Sequence, residues 1–427
     1  MIITSPKGIK DILPQEEAYW DFVENAVKKT AKAYGFGRIR LPVIEKTKLF
    51  IKGTGKNTEI VKKEMYSFKT KGGDNLTLRP EGTPGAMRAY LERGMRSLVQ
   101  PVKLYYFEPM FRHERPQHGR QRQFYQIGFE TIGSESSVID AEIIQTVYRF
   151  LINLGIDNFV FQINSIGDIN CRSKYKKVLQ DYLFKNKSVL CGNCQKDIQD
   201  RIFNIFECKE EHCQQIVRIS PKIIDSLCEL CRIHFKEFLE ILDEIEVPYS
   251  LNHSIVRGLD YYTRTVFEVL AVDEFGQMSS QLSLAGGGRY DFLSESIGGP
   301  KISGSGVAIG VERIISVLED KNIDVNTGNK YPDIFIAQLG FTAKKYGLKL
   351  FDQLVEEGIN VEAAFTKDGL SPQLKLADSK NAHYTIIIGE KELKDKNVLF
   401  RDMKSGNQEI LQIKNLIPEL KNRLNIS

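Results

Sequence analysis

Residues 103–130 read KLYYFEPMFRHERPQHGRQRQFYQIGFE, two strand-like segments on either side of an arginine-rich loop. Successive side chains of a strand point to opposite faces. On the second segment the even and odd positions therefore separate: Phe124, Gln126, Gly128 and Glu130 against Tyr125, Ile127 and Phe129. The loop is too short for a helical crossover, which predicts an antiparallel pair. One face of this hairpin is apolar, and the other is a polar floor with a glycine hollow.

A third segment, LTLRPEGT at residues 76–83, repeats the alternation and brings three polar side chains to one face: Thr77, Arg79 and Glu81. Thr83 is expected to be the N-cap of the helix that follows. Carboxylates at Glu81 and Glu130 suit an ammonium group or a protonatable ring, whereas Arg112 suits a phosphate. A single polar hairpin face is usually just solvated. Three neighbouring segments favour a site where an amino compound meets a phosphate donor.

Residues 254–268, SIVRGLDYYTRTVFE, carry a polar and aromatic group within a strand-forming run: Arg257, Asp260, Tyr261 and Tyr262. Strand tyrosines pack more often than they bind ligands, so this segment alone leaves both roles open. Two glycine-rich turns follow, LAGGGRYD at residues 284–291 and GSGVAIGVERI at residues 304–314. The second leads into a helix that bears Arg313. Most glycine-rich turns are only turns, so these are weak indications by themselves.

Strand and helix signals divide the chain into blocks. Residues 1–170 and 247–324 combine short strands with apolar helices, whereas residues 171–246 are lysine-rich, cysteine-dotted and mostly helical. Residues 331–427 alternate strand with helix. The pattern predicts an α+β fold, in which an antiparallel sheet flanked by helices carries a helical insertion and is followed by a C-terminal α/β domain.

The composition is that of a globular protein of two or three domains, with 427 residues, 42% hydrophobic and 27% charged. A formal net charge of +4 is too small for a chain that coats nucleic acid by bulk charge, so a polyanion would be met by local patches. The N-terminal residues lack the apolar core of a signal peptide, and the apolar runs are too short to span a bilayer. A cytoplasmic protein with reduced thiols is expected.

Taken together, these segments resemble the motifs of class II aminoacyl-tRNA synthetases. YGFGRIRLPVIE, residues 34–45, resembles the first motif, a dimer-forming helix and strand. Residues 111–130 resemble the second motif, and residues 306–314, GVAIGVERI, resemble the third. Within this class, LRPEGT at residues 78–83 and VRGLDYY at residues 256–262 are signatures of the histidyl-tRNA synthetase family. The resemblance spans nearly the whole chain.

The resemblance implies a ligase that activates L-histidine with ATP, forming histidyl-adenylate and pyrophosphate, and then transfers histidine to the 3′ end of tRNA(His). ATP would be the co-substrate, accompanied by Mg²⁺. Residues 331–427 would form the anticodon-binding domain. The chain would form a homodimer.

The resemblance also implies roles for single residues. Arg112 and Arg257 would be the catalytic pair, holding the α-phosphate of ATP from opposite sides, and Arg313 would hold the γ-phosphate. Phe124 would stack under the adenine. The α-ammonium of histidine would be bound by Glu81, Thr83 and Gln126. Its imidazole would be bound by Glu130 and Tyr262, and Tyr261 would close the pocket.

The helical block holds two Cys-x-x-Cys pairs, CGNC at residues 191–194 and CELC at residues 228–231. This spacing predicts a structural zinc site with four ligands: Cys191, Cys194, Cys228 and Cys231. Cys208 and Cys213 lie nearby and make the ligand set ambiguous. The alternative is that the thiols pack in a helical core, as we expect for Cys171.

Two other functions share these features. The synthetase-like regulatory subunit of ATP phosphoribosyltransferase should lack a C-terminal α/β domain and have a degraded ATP site. Here Arg112, Arg313 and residues 331–427 are present. A class II synthetase for another amino acid is the second alternative, and VRGLDYY argues against it.

Overall fold

The computed structural model describes residues 2–116, 119–255, 258–272, 278–325 and 331–426, without the side chains of residues 200, 207 and 278–282. Arg257, expected to be catalytic, lies outside the described residues. The chain divides into two compact units, residues 1–325 and residues 326–427.

The first unit opens with a long helix, a small sheet and a hairpin of two long strands. Its elements up to the helical block are, in chain order, α1 (Glu17–Ala33), β1 (Gly37–Arg38), β2 (Ile44–Lys46), α2 (Thr47–Gly53), β3 (Ser67–Lys69), β4 (Asn75–Leu78), α3 (Thr83–Glu92), β5 (Val102–Phe111), β6 (Gln123–Ile132), α4 (Ser137–Asn153) and β7 (Phe159–Ser165). The run RIRLPVIE forms two short strands in different sheets rather than one, because Pro42 has no N–H to continue a ladder.

The helical block and the return to the main sheet follow: α5 (Ile169–Lys185), α6 (Gly192–Asp200), α7 (Glu211–Arg218), α8 (Glu229–Glu244), β8 (Tyr249–Leu251), β9 (Thr263–Val272), β10 (Met278–Arg289), α9 (Leu293–Ser296), β11 (Gly304–Gly310) and α10 (Val311–Asp320). The run at residues 254–268, predicted as strand, is strand only from Thr263 onward, and Tyr261 and Tyr262 lie in the turn before β9.

The described residues of the first unit form an eight-stranded sheet in the order β1-β5-β6-β11-β10-β9-β7-β8. Its central pairs are antiparallel, and only the edge pairs β1–β5 and β7–β8 are parallel. The predicted antiparallel sheet flanked by helices is confirmed. The three remaining strands form a small sheet in the order β2-β4-β3.

The apolar face of the main sheet carries the core. Ile127 and Phe129, predicted to share that face, are fully buried there. Helices α1, α4 and α10 contribute the opposing side chains, among them Val23, Phe150 and Ile314. The polar face is consequently the one left for a ligand, and the core fixes its backbone.

The second unit is a five-stranded sheet, in its described residues, with strand order β13-β12-β14-β15-β16. Its elements are β12 (Ile334–Gln338), α11 (Phe341–Glu356), β13 (Val361–Ala363), α12 (Leu370–Ser379), β14 (Tyr384–Ile388), α13 (Glu390–Lys394), β15 (Asn397–Asp402), β16 (Gln408–Gln412) and α14 (Leu416–Leu424). Strands β12, β13 and β14 are parallel, as the βαβ pattern predicts, and the last two strands pair antiparallel. Among the described residues of both units, no helix has the length and apolarity needed to cross a membrane.

Candidate active site

A cavity of about 250 Å³ lies on the polar face of the main sheet, over β6, β10 and β11. Its wall includes residues from segments that are far apart in sequence. Among those that the sequence singled out, the cavity wall carries Glu81, Thr83, Arg112, Phe124, Gln126, Tyr261, Tyr262 and Arg313. The structure thus brings the second and third predicted motifs, the segment at residues 78–83 and the tyrosine pair to one place, whereas the first motif, residues 34–45, does not line the cavity.

One end of the cavity is acidic. Glu81 accepts hydrogen bonds from the Thr54 hydroxyl and, at 2.7 Å, from the Tyr261 hydroxyl. Burial raises the pKa of Tyr261 well above its usual value, which keeps this hydroxyl a donor at neutral pH. The Glu81 carboxylate is therefore held in place by two hydroxyls from other parts of the chain.

Glu130 lies one layer beneath the cavity wall and is fully buried. Three hydroxyls donate to its carboxyl oxygens, from Thr83 at 2.7 Å, Tyr106 at 3.2 Å and Tyr290 at 2.6 Å. Burial raises its pKa to about 7, although the three donors act in the opposite direction. Glu130 is not part of the cavity wall, and its hydrogen bond with Thr83 connects it to that wall.

Glycines on neighbouring strands make room for this buried group. Gly306 is directly opposite Glu130 in the β6–β11 pair, and a Cβ on Gly306 would lie 1.9 Å from Glu130 Oε2. Gly128 is directly opposite Tyr106, and a Cβ there would lie 2.0 Å from Tyr106 Cζ. The glycine hollow expected from the sequence is filled by a tyrosine ring and a carboxyl group.

Gln126, on β6, also lines the cavity. Its Oε1 is buried and has no hydrogen-bond partner within the part of the chain that the structure describes. An unpaired buried acceptor costs free energy unless a ligand supplies a donor. This oxygen is suited to accept a hydrogen bond from a bound ammonium group.

The other end of the cavity is rich in arginine, and the Glu114 carboxylate lies 3.8 Å from the Arg112 guanidinium there. The Arg112 side chain donates from Nε to the Pro80 carbonyl at 2.9 Å, and its guanidinium lies 5.3 Å from the centre of the Phe124 ring. Arg313 donates from Nε to the Gly119 carbonyl at 3.2 Å and from Nη1 to the Ser283 carbonyl. Each guanidinium is thereby held by backbone, which fixes its position before a ligand binds.

The pKa of Arg313 is lowered, first by burial and then by the positive charges of Arg120 and Arg112. Like charges this close repel one another, and a bound polyphosphate would relieve the repulsion. Glu312 also lines this end, and burial raises the pKa of its carboxyl group to about 7.

Comparison with known proteins gives the family. The family model described as histidyl-tRNA synthetase matches residues 8–170 and 210–314, and the model described as anticodon binding domain matches residues 333–423. The histidine–tRNA ligase of Caldicellulosiruptor bescii is 42% identical over 99% of this chain and 100% of the relative. The ligase of the same name from Acetivibrio thermocellus is also 42% identical, over 99% of this chain and 100% of the relative.

The chain belongs to the histidyl-tRNA synthetase family. Members of this family charge tRNA(His) with histidine. Among solved structures, apo S. aureus histidyl-tRNA synthetase matches with a TM-score of 0.80 and 32% identity, covering 98% of this chain and 100% of that chain. The match of residues 333–423 to an anticodon-binding domain supports the synthetase over the regulatory-subunit alternative, which should lack such a domain.

The sequence pattern did not identify three residues that bond the glutamates of this histidyl-tRNA synthetase site: Thr54, Tyr106 and Tyr290. Tyr106 and Tyr290 both bond Glu130, and Thr54 bonds Glu81. A signal existed for Tyr106, because a large side chain directly across from Gly128 must lie over the glycine. Thr83, in turn, is not the N-cap: α3 has its N-cap at Gly82, which frees the Thr83 hydroxyl for Glu130.

The predicted zinc ligand set is wrong. The structure assigns the two Cys-x-x-Cys pairs to two different clusters among its described residues. Cys191 and Cys194 lie with Cys208 and Cys213, whereas Cys228 and Cys231 lie with a different pair, Asp168 and Cys171. The reason is that Cys191 and Cys228 each begin a different helix, α6 and α8. Cys171, predicted to be a packing residue, belongs to the second cluster.

Proposed function

We propose that this chain activates L-histidine with ATP in the cavity described above and transfers the histidyl group to the 3′ end of tRNA(His). The observation that carries the proposal is the division of one cavity into an acidic end, with Glu81 above Glu130, and a cationic end, with Arg112 and Arg313. Histidine is a cation at its α-ammonium and bears a proton-donating ring. ATP is a polyanion. The two ends match the two substrates.

The acidic end orients histidine. Glu81, Thr83 and Gln126 bind the α-ammonium, and the unpaired Oε1 of Gln126 accepts a hydrogen bond from it. Tyr262 and Glu130 bind the imidazole, with Glu130 in the layer beneath the cavity wall. Tyr261 closes the pocket. A side chain without ring nitrogens leaves these polar groups unpaired, which costs several orders of magnitude in kcat/KM. No separate editing step is needed on this account.

The cationic end orients ATP. The adenine stacks on Phe124, Arg112 holds the α-phosphate and Arg313 holds the γ-phosphate. Arg257, which lies outside the described residues, is assigned to the opposite side of the α-phosphate on the family resemblance alone. Arg112 and Arg257 are the catalytic residues because they touch the phosphorus centre that reacts.

Attack of the histidine carboxylate on the α-phosphate forms one P–O bond and breaks the bond to pyrophosphate. Negative charge gathers on the five-coordinate phosphorus, and the Arg112 guanidinium, held in advance by the Pro80 carbonyl, stabilises it more than it stabilises the substrates. Arg313, held by the Gly119 carbonyl, stabilises the charge on the pyrophosphate that leaves. The carboxyl group of Glu268 also lines the cavity, and carboxylate oxygens are ligands that Mg²⁺ prefers, so Glu268 would hold the ion that accompanies ATP. That ion would offset charge on the phosphates.

Binding of tRNA(His), which the second half-reaction requires, is assigned to the C-terminal unit. Residues 331–427 bind the anticodon of tRNA(His), and the adenylate passes its histidyl group to the 3′ end of the same tRNA. The enzyme acts as a homodimer in the cytoplasm, where tRNA is used. An active species that sediments as a monomer would contradict the dimer.

Aminoacylation tests the proposed function. Purified protein is incubated with ATP, Mg²⁺, a tRNA(His) transcript and each of several labelled amino acids. Label should enter acid-precipitable tRNA with histidine alone, and a transcript of another tRNA should stay uncharged. Charging with a different amino acid, or none with histidine, would refute it.

A further inference from the structure

Four cysteine sulphurs converge in the helical block, away from the cavity. The Sγ atoms of Cys191, Cys194, Cys208 and Cys213 all lie within 4.8 Å of one another. Cys191 Sγ and Cys208 Sγ are 3.8 Å apart. In a tetrahedral zinc site with Zn–S bonds of about 2.3 Å, neighbouring sulphurs lie about 3.8 Å apart. A disulfide would instead need about 2.05 Å. The spacing of this cluster therefore fits four ligands of one metal ion.

The backbone around these sulphurs is arranged to support thiolates. The Cys194 N–H points to Cys191 Sγ at 3.5 Å, and the Cys191 N–H donates to Cys213 Sγ at 3.2 Å. Hydrogen bonds to sulphur stabilise the deprotonated form that a metal requires. Cys194 and Cys213 are buried and Cys191 and Cys208 are half-buried, so an ion would be enclosed on one side.

The surrounding structure gives a reason for a metal. Helices α6 and α7 have 9 and 8 residues, and such short helices are marginal without tertiary support. Buried apolar side chains such as Ile198 and Val217 supply part of that support, and a structural metal would add to it. The histidyl-tRNA synthetase family model leaves residues 171–209 unmatched, and three of the four cysteines lie there. The cluster therefore belongs to a part of this chain that the family model does not describe.

We propose that Cys191, Cys194, Cys208 and Cys213 bind one structural Zn²⁺. Zinc fits because four thiolates in a closed tetrahedral set are its usual structural ligands. The four thiols lose their protons on binding, no redox change is involved, and the ion ties α6 to α7.

A second cluster, carried by different contacts, lies at the base of the same block. The ligand atoms of Asp168, Cys171, Cys228 and Cys231 also lie within 4.8 Å of one another. The Cys228 N–H donates to Cys171 Sγ at 3.0 Å, and Cys228 Sγ lies 3.8 Å from Asp168 Oδ2. Asp168 and Cys228 are the N-caps of α5 and α8. We infer that a second Zn²⁺ binds here and joins the start and the end of the helical block.

Metal analysis of the full-length protein tests both sites. Protein is purified in reductant without chelator, and elemental analysis by mass spectrometry should give two zinc ions per chain. The Cys194→Ser/Cys208→Ser variant should keep one ion, and the Cys171→Ser/Cys228→Ser variant should also keep one. His212→Ala is the matched control, because exposed His212 is adjacent to Cys213 but outside both ligand sets, and it should keep two.

The wild-type protein gives a measurement that does not depend on the folding of variants. After exchange into Co²⁺, intense thiolate-to-cobalt charge-transfer bands and tetrahedral d–d bands should appear with two ions per chain. Absence of stoichiometric zinc together with absence of these bands overturns both sites, as does iron with acid-labile sulfide. Two ions retained in the Cys194→Ser/Cys208→Ser variant overturn the first site. Two retained in the Cys171→Ser/Cys228→Ser variant overturn the second.

Discussion

The hydroxyl of Thr83, the first residue of α3, donates a 2.7 Å hydrogen bond to Glu130 in β6. This bond connects a residue of the cavity wall to the carboxyl group buried beneath it. The same carboxyl group also accepts from Tyr106 and Tyr290, so three separate segments meet on one side chain. Glu130 therefore connects α3, β5 and the residue after β10 beneath the acidic end of the cavity.

The titration of Glu130 should affect the stability of the ligand-free protein. Its folded pKa is raised from 4.5 to about 7, so the folded state holds a proton that the unfolded state has already lost between these values. The free energy of unfolding should therefore fall as pH rises from about 4.5 to about 7, by up to about 3 kcal/mol. Urea unfolding at a series of pH values should show this decline in the wild type and a flatter dependence in Glu130→Gln. Parallel pH profiles for the two proteins would contradict the assignment.

Arg112 should be required for adenylate formation. Arg112→Ala should reduce kcat/KM for histidine-dependent pyrophosphate exchange by at least about 100-fold, equivalent to roughly 3 kcal/mol of lost transition-state stabilisation. Arg115→Ala is the control from the same loop, since Arg115 is exposed and outside the cavity wall, and it should keep normal activity. Equal activity of the two variants would show that Arg112 does not act on the α-phosphate.

Glu81 should determine histidine affinity without affecting ATP. Glu81→Gln removes the charge that faces the α-ammonium and should weaken histidine binding by about 10- to 100-fold, because a charge-assisted hydrogen bond contributes roughly 1.5–3 kcal/mol. Calorimetric titration with histidine and, separately, with ATP measures both affinities on one sample. ATP affinity serves as the internal control, and a matching loss for both ligands would indicate a misfolded site instead.

Gly306→Ala should disrupt the acidic end from below. The added Cβ would lie 1.9 Å from Glu130 Oε2, and both strands are held by their ladder, so the carboxyl group must move. We expect a loss of roughly 2 kcal/mol in unfolding free energy and weaker histidine binding. Gly37→Ala is the matched control, because its Cβ would meet only Lys103 O at 3.8 Å, and it should be nearly neutral. A thermal melt and a histidine titration compare the two.

Local pattern was sufficient to predict the sheet and the two faces of β6. The alternation from Phe124 to Glu130 has a period of two, and a backbone with that period admits only one division into faces. Pairing of β5 with β6 followed from a short connection. These are features that neighbouring residues determine among themselves.

Contacts that depend on strand order could not be predicted from the local sequence pattern. Tyr290 reaches Glu130 across 160 residues, because β11 lies between β6 and β10 and the residue after β10 turns back over them. The prediction of the cysteine ligand set was wrong for the same reason, because motif spacing does not show which helix N-termini lie close together in the fold. Cys191 and Cys228 look equivalent in the sequence but begin helices at different places in the block.

Histidine-dependent exchange of labelled pyrophosphate into ATP, without tRNA, measures adenylate formation in this cavity. It requires the acidic and the cationic ends of one cavity to act on two substrates at once, and nothing else in the molecule. We expect rapid exchange with histidine and exchange at background with the other amino acids. Background exchange with histidine in folded, zinc-replete protein, or equal exchange with another amino acid, would contradict it.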